Sequence, residues 1–320
     1  MNESQQTPFQ PFDEMGFSND QCFLCGVKLT STNRTEEHIF PEWLLHKFDL
    51  WDQTITLLNR TSISYRNLRI PCCSVCNNQS LSELEKEVKS AVENGSGEVR
   101  NLNKLRLYQW MGKIFFGLLY RELSLAVDRS QPELGSITTP EFIQDYRALH
   151  GFLQSIIKPV EFQGFFPGSI FVLELEQVAE LGDFDYSDSF NGMAFCIRMG
   201  NVGIIACLKD DGHVQESLFE LYEAMKDAKI TPMQFDEFCA WVFYSAFLIV
   251  RNETYVSLTS KDNHSTIIQA PRMSVMPKFD EWDNKMFAYF LEEFLSKYGI
   301  TFDEIFVEPN SIRSTLGDFM

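Results

Sequence analysis

Residues 71–92 read PCCSVCNNQSLSELEKEVKSAV. Two cysteines at knuckle spacing, Cys73 and Cys76, run without a linker into a helical pattern. Leu81, Leu84, Val88, Ala91 and Val92 fall on one stripe, with Glu83, Lys86, Glu87, Lys89 and Ser90 largely outside it. A metal knuckle opening directly into an amphipathic helix is therefore the expected seed of the fold. Cys72 adjoins Cys73, but only Cys73 has the two-residue spacing to Cys76. Glu85 lies on the apolar stripe, an unusual place for an acid. A role as a metal ligand, direct or through another ligand, would account for it; so would an ion pair with a lysine.

Working outward, "QCFLCGVKLT" (Gln21–Thr30) supplies a second pair, Cys22 and Cys25, read as a knuckle running into a short strand. Four thiolates from two knuckles are what a tetrahedral structural zinc ion requires. The intervening loop is long enough to be a structure in its own right. It contains "EEHIFPEW" (Glu36–Trp43), and one of only five histidines in the chain stands there behind two carboxylates. "QTITLLNR" and "SISYRNLRI" alternate as strands do. Of the eight cysteines, Cys196, Cys207 and Cys239 lie singly in apolar stretches and read as core. The amino terminus has neither a basic start nor an apolar run, so no secretory signal is expected. Paired cysteines then point to metal in a reducing, cytoplasmic setting.

The order C-x-x-C, E-H-I-F-P, N-L-R-I-P-C-C-S-V-C-N-N, L-S-E-L-E resembles the HNH endonuclease family in its four-cysteine form, over roughly residues 20–93. The resemblance implies a zinc-stabilised ββα-metal core and hydrolysis of DNA phosphodiester bonds. It implies that Glu37 and Asn77 hold a catalytic Mg²⁺ or Mn²⁺, that His38 is the general base, and that Asn67 orients His38. The motif is then His-Asn-Asn. The chemistry is coherent without the family: a hard cation prefers carboxylate and amide oxygens, and histidine accepts a proton near neutral pH. Glu37 and His38 are adjacent, however. On a regular strand they point to opposite faces, so a bend, bulge or backbone contact is needed for both to serve one site. Asn77 could equally cap the helix behind it. Arg34, Arg66, Arg69 and Lys89 are candidates for phosphate contacts, and His46 reads as a solvated helix residue. By analogy, stand-alone nucleases of this shape serve phage defence or mobile elements. A non-catalytic zinc module that recognises nucleic acid or protein, and a metal-dependent ribonuclease, are the alternatives.

A net charge of −18 over 320 residues argues against a protein that coats nucleic acid electrostatically. Residues 101–130 are locally basic, with Lys104, Arg106, Lys113, Arg121 and Arg129 against Glu122 and Asp128. Two apolar stretches bear on membranes. Lys113 interrupts residues 104–127, and residues 238–250 fall short of the roughly 18 a span requires, so no membrane partner is expected.

The polar Gly95-Ser96-Gly97 region is the best boundary. It divides the chain into a tail (1–20), a nuclease-type module (21–98), and a carboxy-terminal domain (99–320) for regulation, substrate access or homo-oligomerisation. The latter reads as α+β: a long helix over 104–127, strands over 168–176, 192–200 and 202–208 with a hairpin at Gly200-Asn201, and further helices. Thr231, Pro232 and Gln234 form a capping box, and an amphipathic helix ends at Gly299. The whole chain is therefore expected to be α+β, with a zinc-stabilised ββα module followed by a larger domain of long helices and a small antiparallel meander.

Overall fold

The computed structural model describes residues 19–123, 125–127, 130–135, 142, 144–251, 254–259, 265–271, 277–307, 309–317 and 319. The fold is α+β, with several small sheets, and packs as two compact units. Neither unit is continuous in sequence. The first gathers the described parts of Met1–Lys89, Leu105–Gln163 and Tyr255–Gln269; the second gathers Ser90–Lys104, Gly164–Thr254 and Ala270–Met320. The polar Gly95-Ser96-Gly97 stretch thus belongs to the second unit, and residues 105–163 pack with the cysteine-bearing segment.

In the first unit, β1 (Arg34–His38) and β4 (Arg69–Cys73) pair antiparallel, with Glu37 opposite Ile70 and His38 opposite Arg69. Between them, β2 (Thr54–Thr56) and β3 (Ser62–Ser64) form a separate two-stranded ribbon. The expected strand behind the first knuckle shrinks to a single bridge between Gln21 and Lys28. β1 ends at His38, the chain bends over Ile39 and Phe40, and Pro41 stands at the head of the short helix Glu42–Lys47. Behind Cys76 the chain makes one wide, π-type turn, Cys76–Leu81, before α1 (Ser82–Glu93) settles into regular geometry. Leu81, Leu84, Val88, Ala91 and Val92, the stripe read from the sequence, are all buried. Helix α2 (Lys104–Leu123) is almost wholly buried from Leu107 to Tyr120, Lys113 included, and stops short of the expected Val127. Helix α3 (Arg147–Leu153) and β5 (Val160–Gln163) follow. Strand Thr266–Gln269 completes this unit, parallel to β5 on one side and antiparallel to Val256–Thr259 on the other.

The second unit is built on a five-stranded sheet of β6 (Ser169–Leu175), β7 (Phe184–Ser189), β8 (Ala194–Met199), β9 (Val202–Cys207) and β10 (Lys229–Ile230). Its order is β10-β6-β9-β8-β7, and only β10 runs parallel to its neighbour. The tight β8–β9 connection turns on Gly200, whose φ of 61° suits glycine in a hairpin turn. Helix α4 (Pro232–Leu248) opens with the expected capping box of Thr231 and Gln234. It packs against the sheet so closely that the Phe235 ring occupies the space a side chain at position 203 would take. Cys196, Cys207 and Cys239 are buried in this unit, as their apolar surroundings imply. Helix α5 (Asn284–Leu295) lies against α4 and is capped by Asp283, whose carboxylate accepts from the N–H groups of Lys285 and Met286. Among the described residues, no helix is long and apolar enough to cross a membrane.

Candidate functional site

The site grows from the two knuckles. At the first, Gly26 adopts a φ of 69° and donates to Cys22 O, while Cys22 N donates to Val27 O. The chain therefore folds back between the two thiols. At the second, the N–H of Cys76 points at Cys73 Sγ, 3.4 Å away. The sulfur atoms of Cys22, Cys25, Cys73 and Cys76 all lie within 4.8 Å of one another. Tetrahedral zinc with Zn–S bonds of about 2.3 Å needs sulfurs about 3.8 Å apart. The 3.7 Å between Cys25 and Cys73 matches that edge, so the four residues fit a structural zinc ion. Cys72, displaced one place along β4, leaves the group: its thiol reaches Cys22 at 3.9 Å and donates to Cys73 O.

The first knuckle is also clamped from behind. Phe23 and Leu24 are fully buried, so their carbonyls must find partners inside the protein. His150 Nε2 donates to Phe23 O at 2.8 Å, and Gln154 Nε2 donates to Leu24 O at 2.8 Å. Burial holds the His150 imidazole neutral, its pKa lowered to about 4, against the smaller upward pulls of the Phe23 carbonyl and Cys22. Sequence reading passed over both residues; a histidine and a glutamine four residues apart offer no signal of a clamp on a distant knuckle.

Above the knuckles, β1 is regular, and Glu37 and His38 point to opposite faces. His38 is half-buried. Arg69 Nε donates to its Nε2 at 3.0 Å, which leaves the proton of the neutral ring on Nδ1. Burial first, and the Arg69 guanidinium second, hold the imidazole below its ordinary pKa, so it is neutral at physiological pH. The Trp51 ring lies 5.8 Å from His38 and stacks on His46 at 4.6 Å. Asn67, expected beside His38, instead donates to Ser64 Oγ from a short 3₁₀ turn. Arg69 is the neighbour the structure gives to His38. Among the other phosphate candidates, Arg34 and Arg66 pair with Asp20 and Asp52, and Lys89 lies on α1.

Asn77 stands in the wide turn after the second knuckle and joins it to β1: its Nδ2 donates to Thr35 Oγ1 at 3.1 Å and to Glu36 O at 3.0 Å. Glu37 is only 5% exposed, and its carboxylate meets Lys113 Nζ at 2.5 Å. Glu85, the acid on the apolar stripe, meets the same ammonium at 3.0 Å. The conflict visible in the sequence is thus resolved by a lysine. Burial pushes the Glu37 carboxyl up to about 7, opposed by the ammonium and aided by the second carboxylate. Burial alone would discharge Lys113, but Glu37 and Glu85 together hold it protonated, above its ordinary value. A Mg²⁺ or Mn²⁺ ion needs about six oxygen ligands, several of them water. A buried carboxylate already bound to an ammonium does not fit such an ion, and Asn77 has its amide group turned to β1.

No protein-family model, curated protein or solved structure matches the chain.

Proposed function

We propose that the first unit is an HNH-type endonuclease module that hydrolyses DNA phosphodiester bonds on the His38 face, stabilised by zinc at Cys22, Cys25, Cys73 and Cys76. The supporting observation is the linkage of parts: β1 carries Glu37 and His38, β4 pairs with it and leads into the second knuckle, and Asn77 ties the turn before α1 back to β1. A ββα core with its acid–histidine pair beside a four-cysteine cluster is what the motif order leads one to expect.

In this reading His38 is the general base. It takes a proton from water as the water oxygen bonds to phosphorus, and the proton ends on the departing sugar oxygen as its bond to phosphorus breaks. The lone pair of Nε2 is engaged by Arg69, so the base is freed when Arg69 swings to the incoming phosphate, an anion a guanidinium binds strongly. Arg69 therefore couples substrate arrival to the release of the base. A phage-defence or mobile-element role, and homo-oligomerisation through residues 99–320, belong to this proposal by analogy only.

The engagement of both Glu37 and His38 with cationic side chains favours a second reading, a non-catalytic zinc module that recognises nucleic acid or protein. Cleavage of supercoiled plasmid separates the two, run with Mg²⁺, with Mn²⁺ and with EGTA, beside a parallel RNA digest. Nicking that disappears in His38→Ala at unchanged zinc content supports the nuclease, and loss of RNA instead of DNA reassigns it as a ribonuclease. Equal cleavage by both proteins, or none by either, favours the binding module.

A further inference from the structure

We propose that Lys113 is the resident cation of the Glu37–Glu85 pair, built into the chain where the resemblance places a divalent metal ion. Lys113 Nζ stands among four oxygens: Glu37 Oε1 at 2.5 Å, His38 O at 2.6 Å, Glu85 Oε1 at 3.0 Å and Ile39 O at 3.1 Å. Two carboxylates and two main-chain carbonyls are the ligand types a hard cation takes. Here they converge on an ammonium that is 1% exposed. An ammonium has three protons to donate, and all are consumed at this centre.

The arrangement decides what Glu37 does. It does not reach toward the His38 face, where a substrate phosphate would lie, because β1 is regular and the two side chains diverge. Glu37 instead anchors Lys113, and Lys113 grips the carbonyls of His38 and Ile39 at the point where β1 ends. Lys113 is thus a positioning residue for His38, acting through the backbone from inside the unit. The neighbourhood is closed on the helix side by Glu85 of α1 and on the strand side by Glu37, with Ile39 and Ile70 against Gly117 one turn further along α2. The ammonium itself thus occupies the centre of the four oxygens.

This inference rests on the nuclease reading only for the use His38 is put to; cation binding is measured without activity. The test is titration of the zinc-loaded full chain with Mn²⁺, followed by the electron-spin signal of free ion, for wild type, Glu37→Gln, Lys113→Met and Lys113→Met/Glu37→Gln. Wild type and Glu37→Gln are expected to bind Mn²⁺ identically. Lys113→Met, with native zinc content, is expected to gain one Mn²⁺ per chain that the double variant loses. One Mn²⁺ per wild-type chain, lost in Glu37→Gln, overturns the proposal, as does a folded Lys113→Met that gains none. If Lys113→Met does not fold, the ammonium signal of Lys113 in the wild-type nuclear magnetic resonance spectrum decides: unbroadened by Mn²⁺ it supports the inference, and broadened it refutes it. The His38→Ala cleavage assay reports separately on the nuclease reading.

Discussion

Replacing His150 by phenylalanine removes one hydrogen bond and one titrating group from behind the zinc knuckle while keeping most of the buried volume. The ring contact with Phe116, 4.8 Å between centroids, remains possible. At pH 7.5 the variant leaves the buried Phe23 carbonyl without its donor, which costs about 1–3 kcal/mol. The pH term runs the other way. The imidazole titrates near 6.5 when unfolded and at about 4 in the fold, so the folded protein binds fewer protons between those values. The stability contributed by neutral His150 is full above pH 6.5 and is lost as pH falls toward 4. Linkage over that window gives a loss of about 2 kcal/mol by pH 5 in wild type and none in His150→Phe. The stability gap between the two proteins should therefore shrink by about 2 kcal/mol from pH 7.5 to pH 5. Glu37, raised to about 7, titrates with the opposite sign, its folded form favouring the proton and stability falling as pH rises through that value. It is common to both proteins and cancels in the difference. Urea unfolding of zinc-saturated protein, followed by the fluorescence of Trp43, Trp51 and Trp110, measures the gap. An equal gap at both pH values would refute a neutral, buried His150 clamping the knuckle.

Further outcomes follow from other sites. Cys73→Ser should lose zinc while Cys72→Ser keeps one ion per chain, read by metal analysis, because only the former thiol joins the four-sulfur group. Gly203→Ala should destabilise the second unit by about 1–3 kcal/mol in thermal unfolding, since the added methyl meets the Phe235 ring inside a packed core. Glu237 is fully buried and accepts hydrogen bonds from Ser314 Oγ, Thr315 N and Thr315 Oγ1. Glu237→Ala should cost about 3 kcal/mol and expose the segment around Ser314 and Thr315 to limited proteolysis, detected by mass spectrometry.

What could be read in the sequence was local. The stripe from Leu81 to Val92, the capping box at Thr231, the Gly200 hairpin and the two knuckles each declare themselves within a few residues, because periodicity, caps and ligand spacing are short-range. Glu85 was legible as a conflict, an acid on an apolar face. An ion pair with a lysine was one of its two readings, but which lysine could not be read, because Lys113 lies on another helix. In the sequence Lys113 served as a charge interrupting an apolar run and as one of the bases of residues 101–130. Its burial among four oxygens depends on α2 passing under the end of β1, and no pattern encodes that. Asn67 and Arg69 show the same limit. Both precede the second knuckle, and strand alternation with the β1–β4 register selects Arg69 to face His38. The two units are harder still: no composition change marks residue 163 or 255, because each crossing is made by strands that pair at a distance.

That last arrangement bears on when the molecule can assemble during synthesis. β5 has its neighbour in Thr266–Gln269, so a growing chain that has already produced both knuckles, His38 and Lys113 still carries an open strand edge. The second unit's sheet and all of α4 must be translated before that edge is covered. The cysteine-bearing unit can therefore close its sheet only after Thr266–Gln269 has been made, late in translation. Fragments ending between residue 163 and residue 266 would present that uncovered β5 edge to one another, and aggregation of such fragments would be its visible sign.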